Sequence, residues 1–209
     1  SVATTLLNIA VRPYGDAAVS AVSIANKIYM LLRSMLIGVG QGFQPVAGYN
    51  YGAKRYDRVK KAFSSALLLG TLYGVTVAVI LFFFSGEILA IFRRGDSEVI
   101  QTGGEMLRYL SLSLPVLAYS TFVNQLYQSL GFVVPATVLA SCRQGIFFVP
   151  LVLLLPVWIG LTGILMTQAI SDLLTFFVSV PFHLLMIKRL NRAAASESAL
   201  PALKNNGKS

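Results

Sequence analysis

Asp172 is the residue whose chemistry most needs an explanation, because it is a carboxylate in the middle of an apolar run that ends only at Lys188-Arg189. A charge at that depth of a hydrophobic segment is costly, so it is either paired or used. Two readings stand side by side. In one, Asp172 pairs with Arg143. Counted at the helical rise from the turn between their segments, the two lie within roughly 5 Å of the same depth, and Lys27 is an alternative partner. In the other, Asp172 takes up a proton or a sodium ion and leaves its pair in doing so. Polar groups also recur at helical spacing. Thr121, Asn124, Gln125 and Gln128 fall at i, i+3, i+4 and i+7, and Gln168, Asp172, Thr175 and Ser179 do much the same. Arg33, Gln41 and Gln44 share one broad face. Such stripes either line a passage for a polar solute or bind neighbouring helices together, and both readings remain. The lone Cys142 and lone His183 leave no internal disulfide and no convincing metal site. His183, near the end of its run, reads as a side chain reaching for the interface. No nucleophile–base pair falls within an apolar run, which argues against an enzyme.

The elements that hold these residues are helices in a membrane. Of the 209 residues, 56% are hydrophobic and only 12% charged, with a mean hydropathy of +0.71; a soluble domain carries about twice that charged fraction. The net charge of +9 does not point to nucleic acid, because the basic residues sit at the ends of apolar runs and form no stripe. The hydrophobic pattern predicts an all-α integral membrane protein, a six-helix bundle with helical segments at about 1–11, 17–48, 62–92, 97–130, 133–155 and 161–187. The first is too short to span a bilayer, which takes roughly 20 residues, and reads as part of a helix whose beginning is missing. Residues 1–192 form the membrane lobe, and 193–209 are expected to be a disordered tail by composition. Gly38 and Gly42 share a face that should allow close helix approach. Asp96 or Ser97 is placed to cap the fourth segment. The basic run Lys54, Arg55, Arg58, Lys60, Lys61 marks a cytoplasmic loop. Strict alternation then puts Arg12, Arg93 and Arg94 outside and Lys188, Arg189, Arg192 and the tail inside, in agreement with the positive-inside rule.

One long stretch carries a resemblance. GQGFQPVAGYNYGAKRYDRVKKAF, from Gly40 to Phe63, is similar to the segment joining the eighth and ninth helices of multidrug and toxic compound extrusion (MATE) transporters. The Asn8–Asp16 and Phe92–Ile100 segments, Arg143-Gln144 to Pro150 and Gly160–Gly163 also fall where that family has similar residues. The resemblance covers almost the whole chain but only the second six-helix half of the family, and it is nearest to the DinF-like and MepA-like branch. It implies one lobe of a twelve-helix, V-shaped transporter in the cytoplasmic membrane, a cation-coupled (proton or sodium) antiporter exporting drugs and other organic, often cationic, compounds. Its implied partners are the missing amino-terminal lobe, membrane lipids and small organic substrates, with no further cofactor. One branch of the family binds its coupling cation through acidic residues in the seventh and tenth helices. Here the remnant seventh helix offers Asn8, and the tenth has only Glu98 and Glu105 at its start, which departs from that pattern; the resemblance to the DinF-like and MepA-like branch implies a coupling carboxylate in the first lobe.

The resulting pathway candidates are Asn8, Gln41, Gln44, Asn124, Gln125, Gln128 and Asp172, and the candidates for structural ion pairing are Lys27, Arg33 and Arg143. Two rival readings accompany transport of drugs. A flippase for lipid-linked oligosaccharides would favour a wide cavity with several cations, and a non-transporting membrane scaffold would use the glycine-rich face to bind partner helices.

Overall fold

The computed structural model describes residues 2–93 and 95–206; Ser1, Arg94 and residues 207–209 of the expected tail lie outside that description. Every regular element among the described residues is helical. Helix α1 (Val2–Val11) leads through a single 3-10 turn (Arg12–Tyr14) into α2 (Asp16–Gly52). Helices α3 (Tyr56–Phe92), α4 (Ser97–Ser129) and α5 (Val133–Ser141) follow, then a π-turn (Cys142–Ile146) and α6 (Phe148–Asn206). Four of the helical stretches are long and apolar enough to cross a bilayer. Where no water can serve the backbone, a helix satisfies its own N–H and C=O groups, so these runs have little alternative.

Two of the breaks in the helical path fall at glycines, and another is at Phe84 within α3. Gly131, with φ +80, turns the chain between α4 and α5, and the Phe132 N–H reaches back to the Tyr127 carbonyl at 2.9 Å. Within α6 the helical path is interrupted at Ile159 and at Gly160, whose φ of +59 suits glycine. Two antiparallel segments result, α6a before this point and α6b after it. By contrast α2 and α4 stay helical through Pro45 and Pro115. Asp96 caps α4, its carboxylate accepting from the Val99 N–H at 3.3 Å.

Helix α4 is the centre of the bundle, packed against α2, α3 and α6, with Met106, Leu107, Leu110, Leu117, Phe122 and Leu126 fully buried. Because lipid tails are as apolar as these side chains, close packing rather than the hydrophobic effect holds helices together here. Small residues provide it. A Cβ added to Gly70 of α3 would overlap the Phe122 ring, and one on Gly74 would lie 3.1 Å from the Leu114 carbonyl.

Three expectations need correction. Gly38 and Gly42 have nothing within 4 Å of an added Cβ; the close approach is at Gly40, where that carbon would overlap the Gln125 amide. The buried face of α2 follows Leu36, Gly40, Phe43 and Ala47, and the other two glycines lie on the exposed side. Residues 193–206 continue α6 as helix where a disordered tail was expected. The alanines of this stretch favour helix, and Lys54 pairs with Glu197 at 3.1 Å. His183 does not reach for the interface. Its Nδ1 lies 2.5 Å from the Tyr119 hydroxyl and its ring packs edge-on against Phe63.

Two contacts define one end of the bundle. Lys54–Glu197 and Lys60 Nζ–Asn191 Oδ1 (2.8 Å) bring the basic α2–α3 loop and the basic end of α6b together.

Candidate functional site

Asp172 is 1% exposed and sits where α2, α4, the π-turn and α6b meet. Arg143 Nε donates to its Oδ1 at 2.7 Å, and Gln168 Nε2, one turn earlier on α6b, donates to the same oxygen at 3.1 Å. The Tyr29 hydroxyl of α2 donates to Oδ2 at 2.5 Å. Ser113 Oγ of α4 is 3.4 Å from Oδ2, but its single proton has a better acceptor in the Leu110 carbonyl at 2.9 Å. The carboxylate therefore has three donors, one of them a guanidinium, which compensate its burial. The π-turn helps to aim Arg143. Its wider spacing is closed by the Phe147 N–H donating to the Cys142 carbonyl at 2.9 Å, and Ser171 Oγ ties the Arg143 carbonyl to α6b at 2.6 Å.

Of the two partners considered for Asp172, the structure selects Arg143. Lys27 is exposed, and neither it nor Arg33 has a carboxylate within ion-pairing distance among the described residues; the reading of these two as structural ion pairs is thereby corrected. Both instead face cavities, which the bundle's helical register explains. On α2, Ser23, Asn26, Lys27, Met30 and Arg33 recur at three- and four-residue intervals and line one side of a cavity of about 530 Å³. Asn8 of α1, Gln144 and Gln168 line the same space.

A second cavity of about 350 Å³ lies beyond it, between α2, α4, α5 and the π-turn. Arg33 and Gln144 line both. Gln41, Gln44, Asn124, Gln125 and Gln128 line this one, with Ser120, Thr121 and Arg143. The amides divide by role. Gln125 is buried and donates to the Ile37 carbonyl at 3.3 Å, helping to join α2 and α4. Gln128 donates to Asn124 at 3.0 Å along its own helix and accepts a long bond of 3.4 Å from Gln44. Gln41 is exposed and Thr121 half-buried on the cavity wall.

Sequence reasoning missed Tyr29, Asn26 and Gln144. Asn26 belongs to the polar stripe on α2, so its signal was present two turns before Arg33, whereas Tyr29 sits among the core residues of that helix. Gln144 carries no such signal, since its direction depends on the π-turn.

A match to the MatE family model extends over residues 1–154, almost three quarters of the chain. The chain belongs to the MatE family. Members of the family are transporters rather than enzymes, and the chain is a multi-pass membrane protein. It is 34% identical over 117 residues to the probable multidrug resistance protein YoeA of Bacillus subtilis, a match covering 54% of this chain and 25% of that protein. It is 21% identical over 186 residues to the multidrug export protein MepA of Staphylococcus aureus, covering 88% of this chain and 40% of that one. An outward-facing multidrug resistance MATE family transporter of the MOP superfamily superposes with a TM-score of 0.81 at 18% identity, over 91% of this chain and 43% of the other. The chain thus spans less than half the length of the relatives it matches, and the MatE fold fits it as a half-transporter lobe.

Proposed function

We propose that this chain forms one lobe of an antiporter that exports drugs and other small organic compounds across the cytoplasmic membrane, driven by inward flow of protons or sodium ions. The observation that carries this reading is the polar wall made by the two cavities, which share Arg33 and Gln144 and run along one side of the lobe. Polar groups lining a cavity within membrane-spanning helices are the expected form of a solute pathway. MepA and YoeA are named for multidrug export and resistance, which supports the same substrate range here. The opposite wall belongs to an amino-terminal lobe, because alternating access needs a site between two bundles. The coupling carboxylate belongs there too, since Asp172 is already filled by three donors.

The test is efflux from a drug-sensitive host that expresses the complete native reading frame containing this chain. Ethidium accumulation should fall several-fold, and the effect should vanish when the proton and sodium gradients are both collapsed. Unchanged accumulation of ethidium and of a panel of other dyes and drugs would refute export. Efflux that survives collapse of both gradients would refute the coupling.

A further inference from the structure

We infer that the cavity between α2, α4 and the π-turn holds an anionic group of the transported solute, a carboxylate or a phosphate, against Arg33 and Arg143; this rests on the transport reading only in calling the ligand a transported solute. The charge on the wall is the first argument. Lys27, Arg33 and Arg143 line the two cavities, and no carboxylate lines either one among the described residues. Asp172, the one acid at this depth, lies behind the wall and is taken up by Tyr29, Arg143 and Gln168. Three cations over one buried carboxylate leave the passage with an uncompensated positive charge.

The second argument is an unmet hydrogen bond. Arg143 gives its Nε to Asp172, but its Nη2 is buried and has no partner. A buried donor without an acceptor is costly, and a charged one more so. Arg33, half-buried on the same cavity, has neither an ion pair nor a hydrogen bond among the described residues. Two guanidinium groups line one cavity, and that of Arg33, wholly uncommitted, suits the two oxygens of a carboxylate or phosphate, with the charge of Arg143 beside it. The surrounding amides of Gln41, Asn124 and Gln128 can donate to the same oxygens or accept from polar parts of the ligand. A cation in this position would meet repulsion from both arginines, strengthened by the low dielectric of the bundle. This lobe therefore receives the acidic end of a solute, and a cationic end, where there is one, turns to the opposite wall.

A matched pair of xanthene dyes tests this. Fluorescein is an anion and rhodamine 123 a cation on nearly the same skeleton. Binding of each is measured by fluorescence anisotropy on the protein expressed from its complete native reading frame, in nanodiscs of phosphatidylcholine. Fluorescein is expected to bind more tightly than rhodamine 123. Arg33→Gln should weaken fluorescein roughly tenfold or more, as loss of a charge-assisted hydrogen bond does, without weakening rhodamine 123. Arg33→Lys keeps the charge and should retain part of the affinity, and thermal unfolding in the same nanodiscs shows whether each variant is folded. Equal or tighter binding of rhodamine 123 by the unaltered protein would overturn the proposal, as would equal loss of both dyes in folded Arg33→Gln. Fluorescein selectivity in a protein that exports nothing would leave the anion site standing and remove the transport reading. Export of ethidium without fluorescein selectivity would do the reverse.

Discussion

At the Asp172–Arg143 pair, stability and function make different demands. Removing one member of a buried pair leaves the other charge unmatched, at a cost of about 3–5 kcal/mol, whereas replacing both by apolar residues is often nearly neutral. Asp172→Ala should therefore lower the thermal unfolding temperature sharply, and Asp172→Leu combined with Arg143→Met should recover most of the loss. Failure of the double replacement to recover stability would mean that Tyr29 and Gln168 depend on the charges themselves. The pair was legible because depth along antiparallel helices can be counted from a sequence. Tyr29 was not, because a tyrosine in an apolar run looks like core until a partner shows where its hydroxyl points. Lys27 and Arg33 were legible as buried-segment cations but not as unpaired ones. Whether a cation is neutralised depends on rotation of its helix, and a few tens of degrees on α2 decide it.

Between helices, the quantity that matters is the space one residue leaves for its neighbour. Gly70 admits Phe122 and Gly40 admits Gln125, whereas Gly38 and Gly42 face open space. Gly70→Ala should destabilise the lobe by about 1–3 kcal/mol, as overpacking does. Gly38→Ala and Gly42→Ala should leave the lobe's own stability unchanged or slightly raised, since alanine is the better helix former. Thermal unfolding of the three variants separates these outcomes, and equal destabilisation at Gly38 would show that its face is packed after all. A small-xxx-small pattern names a face that can be approached closely, but not whether a helix of this chain approaches it. The extents of α2 and α4 follow from long apolar runs with polar ends and were readable for that reason, whereas α3 begins at Tyr56, six residues before its apolar run, inside the basic segment. The π-turn was not, because Cys142–Ile146 has no composition of its own and its geometry answers to Ser171 and Asp172 on α6b.

Over the whole molecule, the two ends of the bundle differ in charge, and this gives a test of how the lobe sits in the membrane. Lys60–Asn191 and Lys54–Glu197 hold the 54–61 loop and the end of α6b at one end. Gly160 lies beside Tyr14, an added Cβ coming within 3.8 Å of its hydroxyl, so the α6 break and the α1–α2 turn share the other. Lys54, Arg55, Arg58, Lys60 and Lys61 thus join Lys188, Arg189 and Arg192 on one side, while Asp16, Asp96 and Glu98 accompany the basic residues opposite. Loops rich in Lys and Arg stay in the cytoplasm, so the first end should face inward. Cysteines introduced by Lys61→Cys, Arg192→Cys and Asp16→Cys can be probed with a membrane-impermeant maleimide, because the native Cys142 is buried. In intact cells only Asp16→Cys should react, and all three should react after permeabilisation. Reaction of Lys61→Cys and Arg192→Cys alone would invert the lobe. Different behaviour of those two would contradict their shared end, and with it the antiparallel order of helices that brings Arg33 and Arg143 to one cavity.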